Sequence, residues 1–168
     1  MKNNIVLCGF MGSGKSTVGK ILAQKLNFTF KDSDECIEQR ENMSVSEIFK
    51  TYGEEYFRKT ESLVIKELSL QNGLVIATGG GAVLNSDNAA ALRQRGTVIF
   101  LDVTPETVLE RLKNDASRPL LQRKDKAEAI TELLIARKPV YQAAAHYAVN
   151  ANRDALKTVE EILTLQGI

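Results

Sequence analysis

Apolar and polar positions along the chain switch repeatedly between two periods. Ile5-Val6-Leu7-Cys8 is a short continuous apolar run that stops at Gly9, the signature of a strand covered on both faces. From Lys15 the spacing turns helical, with Val18, Ile21, Leu22 and Leu26 on one face. Phe28-Thr29-Phe30 reads as a second strand leading to Asp32 and Asp34. Ser44-Val45-Ser46-Glu47 carries a capping-box pattern followed by Ile48 and Phe49, and a longer helix is predicted from about Glu54 to Leu70. Leu74-Val75-Ile76-Ala77 is the next strand, with glycines at 79, 80 and 81 after it. Ser86 is placed to cap a helix that stops before Gly96. Val98-Ile99-Phe100-Leu101 follows as a strand, and Thr104-Pro105 as a cap with proline in the first turn, turning Val108, Leu109 and Leu112 inward. Ala116 to Lys126 is polar, proline-interrupted and without a clean period. Ile130, Leu133 and Leu134 restore a helix, Tyr147-Ala148-Val149 is a last strand, and Leu156, Val159, Ile162 and Leu163 a last helix.

Repeated strand–helix units predict an α/β fold: a parallel sheet between two helical layers. Such sheets bind ligands beyond the carboxyl ends of their strands. Gly9–Ser16, Asp32–Asp34, Gly79–Gly81 and the loop after Val149 all follow strands, so they are expected at one edge. With 168 residues, 43% hydrophobic, the chain suits a single domain, and no linker or repeat interrupts it.

Composition excludes more than it assigns. The 22 basic and 21 acidic residues nearly cancel, leaving no electrostatic footprint for nucleic acid or an anionic membrane. Two cysteines, Cys8 and Cys36, and a single histidine, His146, make neither a disulfide framework nor a zinc site. No signal-peptide pattern precedes the first strand and no apolar run is long enough to span a bilayer, so a cytoplasmic protein is expected. Balanced charge and the lack of a coiled-coil pattern point to a monomer.

The chemistry begins at Gly9-Phe10-Met11-Gly12-Ser13-Gly14-Lys15-Ser16, which matches G-x-x-x-x-G-K-[ST] between a strand and a helix. Glycines let the backbone curl so that N–H groups face inward as an anion nest, and the helix start adds positive potential. Lys15 can reach the β- and γ-phosphates of ATP, and the Ser16 hydroxyl can ligate Mg²⁺. A dinucleotide fingerprint would need G-x-G-x-x-G; from Gly12 the chain reads Gly-Ser-Gly-Lys-Ser-Thr17, without the last glycine. The motif predicts a phosphotransferase.

The acceptor is less legible. Asp32 and Asp34 could hold Mg²⁺ through water and engage an acceptor hydroxyl, or be two solvated turn aspartates; their place beside the phosphate loop favours the first. Three successive glycines cost chain entropy and make sense where backbone approaches a ligand closely. Arg58 and Arg137 suit a planar carboxylate, yet residue type and pattern alone read them as surface arginines. Arg118, beside Pro119 in the irregular segment, is either a lid arginine closing on the transferring phosphoryl or a solvated loop charge.

Together these residues resemble the shikimate kinase family. The resemblance runs in order through Gly9–Thr17, Phe30-Lys-Asp-Ser-Asp34, Gly53-Glu-Glu-Tyr-Phe-Arg58-Lys-Thr-Glu61, Gly79–Gly81, Arg118-Pro-Leu-Leu121 and Arg137-Lys-Pro-Val-Tyr141. It implies a P-loop fold of the nucleoside-monophosphate-kinase type, a three-layer α/β/α arrangement with a central parallel sheet of about five strands. It implies an acceptor-binding region over about 33–61 and a mobile lid over about 112–125. It also implies the reaction: ATP phosphorylates the 3-hydroxyl of shikimate to give shikimate 3-phosphate and ADP, on the route to chorismate and aromatic amino acids. Asp34, Arg58, Gly79, Gly80, Gly81 and Arg137 would form the shikimate site, with Glu61 orienting Arg58. Gly12, Ser13, Gly14, Lys15, Ser16 and Thr17 would hold the phosphates, with Ser16 on Mg²⁺ and Asp32 behind it. Lys15, Asp34 and Arg118 would be catalytic. Arg111, Arg118 and Arg153 would lie on the nucleotide, Arg153 beside the adenine. Asn42 stands where the family usually has glycine, a substitution that asparagine's tolerance of the left-handed conformation permits. The loop Asn150–Asp154 departs from the family's acidic pattern.

Two other readings compete: a kinase for gluconate or a nucleoside monophosphate, and a nucleotide-sensing module without catalysis. Paired arginines favour a carboxylate acceptor, and the filled catalytic positions argue against a mere sensor.

Overall fold

The computed structural model describes residues 3–113 and 125–168. Their strands form one sheet of five: β1 (Asn4–Cys8), β2 (Thr29–Asp32), β3 (Leu74–Ala77), β4 (Gly96–Asp102) and β5 (Tyr147–Asn150), in spatial order β2-β3-β1-β4-β5. All pairings are parallel; Val6 of β1 stands opposite Ile76 on one side and Val98 on the other. β1 and β3 are buried along their whole length, because helices cover both faces and leave no polar side to alternate. The edge strands β2 and β5 keep partly exposed positions.

Handedness separates the helices. The connection from β1 runs towards β2 and the one from β3 towards β4, in opposite directions along the sheet, so right-handed crossovers put them on opposite faces. Helices α1 (Lys15–Leu26) and α7 (Ala155–Leu165) pack together on one side. Helices α3 (Val45–Ser69), α4 (Ser86–Arg95) and α6 (Lys126–Ala144) form the layer on the other, with α2 (Ser33–Glu41) against α3 and α5 (Pro105–Leu112) against α6. The core between the layers includes Leu7, Phe10, Leu22, Ile65, Ile76, Ile99 and Tyr141.

Several predicted elements shift. β2 begins at Thr29 and runs on to Asp32, leaving Phe28 outside. A helix follows it directly, unannounced by periodicity because only Ile37 of its apolar residues is fully buried. Asn42 ends that helix with φ 52°, the left-handed conformation expected of it. The capping box is complete: Glu47 N donates to Ser44 Oγ and Ser44 N to Glu47 Oε2, both at 3.2 Å. From it α3 runs over 25 residues, broken at Gly53 (φ 85°, ψ 174°), so the helix expected from Glu54 is its second piece. Asn85 rather than Ser86 caps α4, its Oδ1 accepting from Asp87 N and Asn88 N. The helix stops before Gly96 as expected, and at φ −123° that glycine is already the first residue of β4. Leu156 is exposed while Val159 and Ile162 of the same helix are buried. Cys8 is a core residue, its thiol pushed up to about 12 mainly by burial. His146 extends the sheet edge: its N donates to Val98 O at 2.7 Å and its Nδ1 accepts from Val98 N at 2.9 Å. No helix among the described residues is long and apolar enough to cross a membrane. Most of the lid expected over about 112–125, with Arg118, lies outside the described residues.

Candidate active site

The loop after β1 curls as the motif predicts. Gly12 and Gly14 take φ 76° and 92°, and Gly14 is the residue from which α1 starts. The first intrahelical bond, Val18 N to Gly14 O at 2.9 Å, leaves the N–H groups of Lys15, Ser16 and Thr17 without helical acceptors and concentrates positive potential there. Lys15 arches over the loop, its Nζ donating to Gly9 O at 2.7 Å and Phe10 O at 2.9 Å. Ser13 is buried. Ser16 and Thr17 lie exposed on the first turn.

At the end of β2, Asp32 does two jobs. Its Oδ1 accepts from Asp34 N at 2.9 Å and Glu35 N at 3.2 Å, capping α2. Its Oδ2 accepts the Ser16 hydroxyl at 3.1 Å. Two hard oxygen donors therefore meet beside the phosphate loop, a donor set of the kind Mg²⁺ takes along with substrate phosphates.

The three glycines after β3 are the meeting point of the rest. A Cβ at Gly79 would lie 2.6 Å from Asp34 Oδ1, and one at Gly81 2.7 Å from both Nη atoms of Arg58. A Cβ at Gly80 would be 3.6 Å from Arg137 Nη1 and 3.9 Å from Gly9 O and Met11 N of the phosphate loop. The glycines thus admit the chain's own carboxylate and guanidinium groups, a reason that sequence reasoning, which invoked only a ligand, did not supply. Asp34, Arg58 and Arg137 come from α2, the second piece of α3, and α6. They converge on one segment whose middle residue abuts the phosphate loop.

Arg58 is held from behind. Its Nη1 donates to Glu61 Oε1 at 2.9 Å, its Nε lies 3.6 Å from Glu54 Oε1, and its guanidinium sits 5.2 Å from the Phe57 ring centre. The Glu61 side chain is 2% exposed. Burial pushes its carboxyl above the ordinary 4.5, and Arg58 opposes the shift. Arg137 stands 5.9 Å from the Phe10 ring centre, on the other flank.

Arg111 joins the phosphate loop to the loop after β5. Its Nη1 donates to Gly12 O at 3.0 Å, and its Nη2 to Ala151 O at 2.7 Å and Arg153 O at 3.2 Å; desolvation lowers its pKa. Arg153 turns back on its own loop, its Nε donating to Asn150 O at 3.1 Å, and pairs with Glu161. Arg111 therefore lies next to Gly12, while the Arg153 side chain is engaged within its own loop and with Glu161. A separate groove of about 590 Å³ between α4 and α6, lined by Arg93, Val140 and His146 among others, includes none of these residues.

Comparison with known proteins identifies the family of the chain. The sequence model described as shikimate kinase matches residues 11–166. The chain belongs to the shikimate kinase family. A shikimate kinase from Sulfurihydrogenibium sp. is 50% identical over 162 residues, covering 96% of each chain. The solved structure of a shikimate kinase from Acinetobacter baumannii in complex with shikimate superposes with a TM-score of 0.93 at 41% identity, over 98% of this chain and 92% of that one. A gluconokinase from Sinorhizobium meliloti shares the fold, with a TM-score of 0.61 at 15% identity. The sheet is the one that shikimate kinases carry, and ATP is the co-substrate that a kinase of this family uses.

Two buried contributors escaped sequence reasoning. Ser33 is fully buried and its Oγ accepts from Gly79 N at 2.9 Å, fixing where the glycine segment starts. Tyr141 is buried under the same segment, its hydroxyl donating to Gly80 O at 2.5 Å. Ser33 carried one signal, its place between two notable aspartates; Tyr141 sat i+4 from Arg137.

Proposed function

We propose that the chain transfers the γ-phosphate of ATP to the 3-hydroxyl of shikimate, as members of its family are named for doing. The observation that carries this reading is the convergence of Asp34, Arg58 and Arg137 on Gly79–Gly81 beside the phosphate loop. Two guanidiniums facing one carboxylate suit a small acid that also bears hydroxyls. Gluconate would also present those groups, but the likeness to a gluconokinase extends to the fold alone.

On this reading Arg58 and Arg137 bind the shikimate carboxylate and Glu61 keeps the Arg58 fork aimed. Asp34 accepts a hydrogen bond from the 3-hydroxyl, orients its oxygen towards the γ-phosphorus and receives its proton. A bond forms between that oxygen and phosphorus, and the bond to the β,γ-bridging oxygen breaks, leaving ADP. Such transfers have loose transition states, so positioning and charge stabilisation outweigh base catalysis. Lys15 exchanges the Gly9 and Phe10 carbonyls for β- and γ-phosphate oxygens, and the N–H groups of Gly12–Thr17 cradle the phosphates. Ser16 would hold Mg²⁺ directly and Asp32 through water; bound there, the ion would offset phosphate charge. Arg111 and Arg153 flank the nucleotide, and Arg118 is assigned to the transferring phosphoryl. A monomer in the cytoplasm is the corresponding cellular reading, its assembly testable by sedimentation.

Coupled ADP release in ATP and Mg²⁺, with and without shikimate, tests the proposal. Shikimate-dependent release is expected. Release with gluconate or a nucleotide but not with shikimate would sink the acceptor assignment. ATP binding without turnover on any acceptor would favour a sensing module.

A further inference from the structure

Tyr141 occupies a position that packing alone does not explain. It is among the largest fully buried side chains, and its ring stacks on Phe100 of β4 at 5.3 Å between centroids. A phenylalanine would satisfy that contact equally well. The hydroxyl instead reaches out of the core to the one glycine of the three that abuts the phosphate loop, donating to Gly80 O at 2.5 Å. Buried hydroxyls persist where they are hydrogen-bonded, because an unpaired one costs its full desolvation.

Tyr141 lies one helical turn beyond Arg137 on α6, the spacing that puts two side chains on one face. Arg137 Nη1 would be 3.6 Å from a Cβ at Gly80, the residue whose carbonyl Tyr141 holds. From the same helix, the tyrosine therefore holds Gly80 and the arginine passes directly beside it. Pro139 lies between them, so the helix lacks one intrahelical N–H bond at this turn.

We propose that Tyr141 is a positioning residue for acceptor binding: its hydroxyl pins Gly80 and, with it, the alignment of Arg137 for the acceptor carboxylate. This deepens the shikimate reading and rests on it. Burial raises the phenol to about 12, with Arg137 both a neighbouring charge and a hydrogen-bond donor pulling the other way. The hydroxyl is therefore protonated, and a donor to Gly80, across the working pH range.

Tyr141→Phe removes a single oxygen and keeps the ring on Phe100. Losing a hydrogen bond of ordinary strength corresponds to a factor of about ten. The shikimate KM, and the dissociation constant of shikimate measured by calorimetry without nucleotide, should rise by about that factor. The ATP KM and kcat should stay within about twofold, and the melting temperature should move little. In an Arg137→Ala background the same change should add less than about twofold, since the aligned group is gone. A shikimate KM unchanged in Tyr141→Phe would overturn the inference, as would equal losses in shikimate KM, ATP KM and kcat, or full additivity with Arg137→Ala. A variant that melts early but keeps native shikimate affinity would also overturn it, as that is a structural role alone. If the native chain does not turn over shikimate, the acceptor reading falls and this inference falls with it; if the native chain is active, only the role of Tyr141 is at stake.

Discussion

Among single residues, Gly79, Gly80 and Gly81 separate two explanations of the same pattern. At Gly81 an added methyl group would collide with the Arg58 guanidinium, and at Gly79 with the Asp34 carboxylate. Both obstacles are the far ends of side chains, which can swing aside without breaking the fold. Gly81→Ala should therefore leave the urea midpoint nearly unchanged and raise the shikimate KM by about tenfold or more, through a displaced clamp. Gly80→Ala meets only ordinary contacts in the protein, so any comparable loss there would have to come from the ligand itself. Equal KM values for Gly81→Ala and the native enzyme would show that Arg58 has no need of that space. Glu61 gives a second test. Its folded pKa is raised by burial, so the native state holds the proton more tightly than the unfolded chain does. The stability it contributes is present below about 4.5 and is lost as pH rises through the elevated value. Glu61→Gln should flatten that decline and leave neutral-pH stability unreduced, because Arg58 is partly exposed and retains Glu54. It should nevertheless raise the shikimate KM, since a neutral amide orients a guanidinium less firmly than a carboxylate does. Urea titrations at about pH 5 and about pH 8, read with KM, distinguish the two effects; a steeper pH dependence in the variant would contradict the assignment.

Among the elements, the break in α3 decides how the proposed acceptor site is built. The capping box starts the first piece, and Gly53 redirects the second, which carries Arg58 and Glu61. Its φ of 85° with ψ of 174° is open essentially only to glycine. Gly53→Ala should cost about 1–3 kcal/mol in chemical unfolding; a change below about 0.5 kcal/mol would mean the break relaxes without glycine. The apolar pattern located both pieces, with the second expected from about Glu54, directly after the break, but not that one residue at an unusual φ joins them without a loop. Helix α2 was illegible for a different reason: with one fully buried apolar residue it has almost no stripe. Its readable signal was the cap, Asp32 with Asp34 and Glu35 in the first turn, which looked like candidate chemistry and is both chemistry and cap.

For the whole molecule, the proposed nucleotide and acceptor sites sit at adjacent carboxyl ends of β1 and β3, where the crossovers part to opposite faces. Each should bind without the other. Shikimate at about a hundred times its Kd should stabilise the native chain by about 2.7 kcal/mol. Lys15→Ala should keep that thermal shift, lose most of the shift caused by ATP, and show no turnover; loss of both shifts would mean that the phosphate loop also shapes the acceptor site. The sequence by itself determined the five strands, the phosphate loop, and the family through an ordered set of short motifs. Those features are local: a period, a cap or a glycine spacing is written in neighbouring residues. Residue type and spacing left Arg58 and Arg137 indistinguishable from surface arginines and only the family resemblance put them in one site; only the tertiary structure decided how they face the same three glycines. It alone placed Ser33 and Tyr141 behind those glycines. These relations join residues tens of positions apart, and their physical cause, the parallel sheet bringing separate loops to one edge, exists only once the chain has folded.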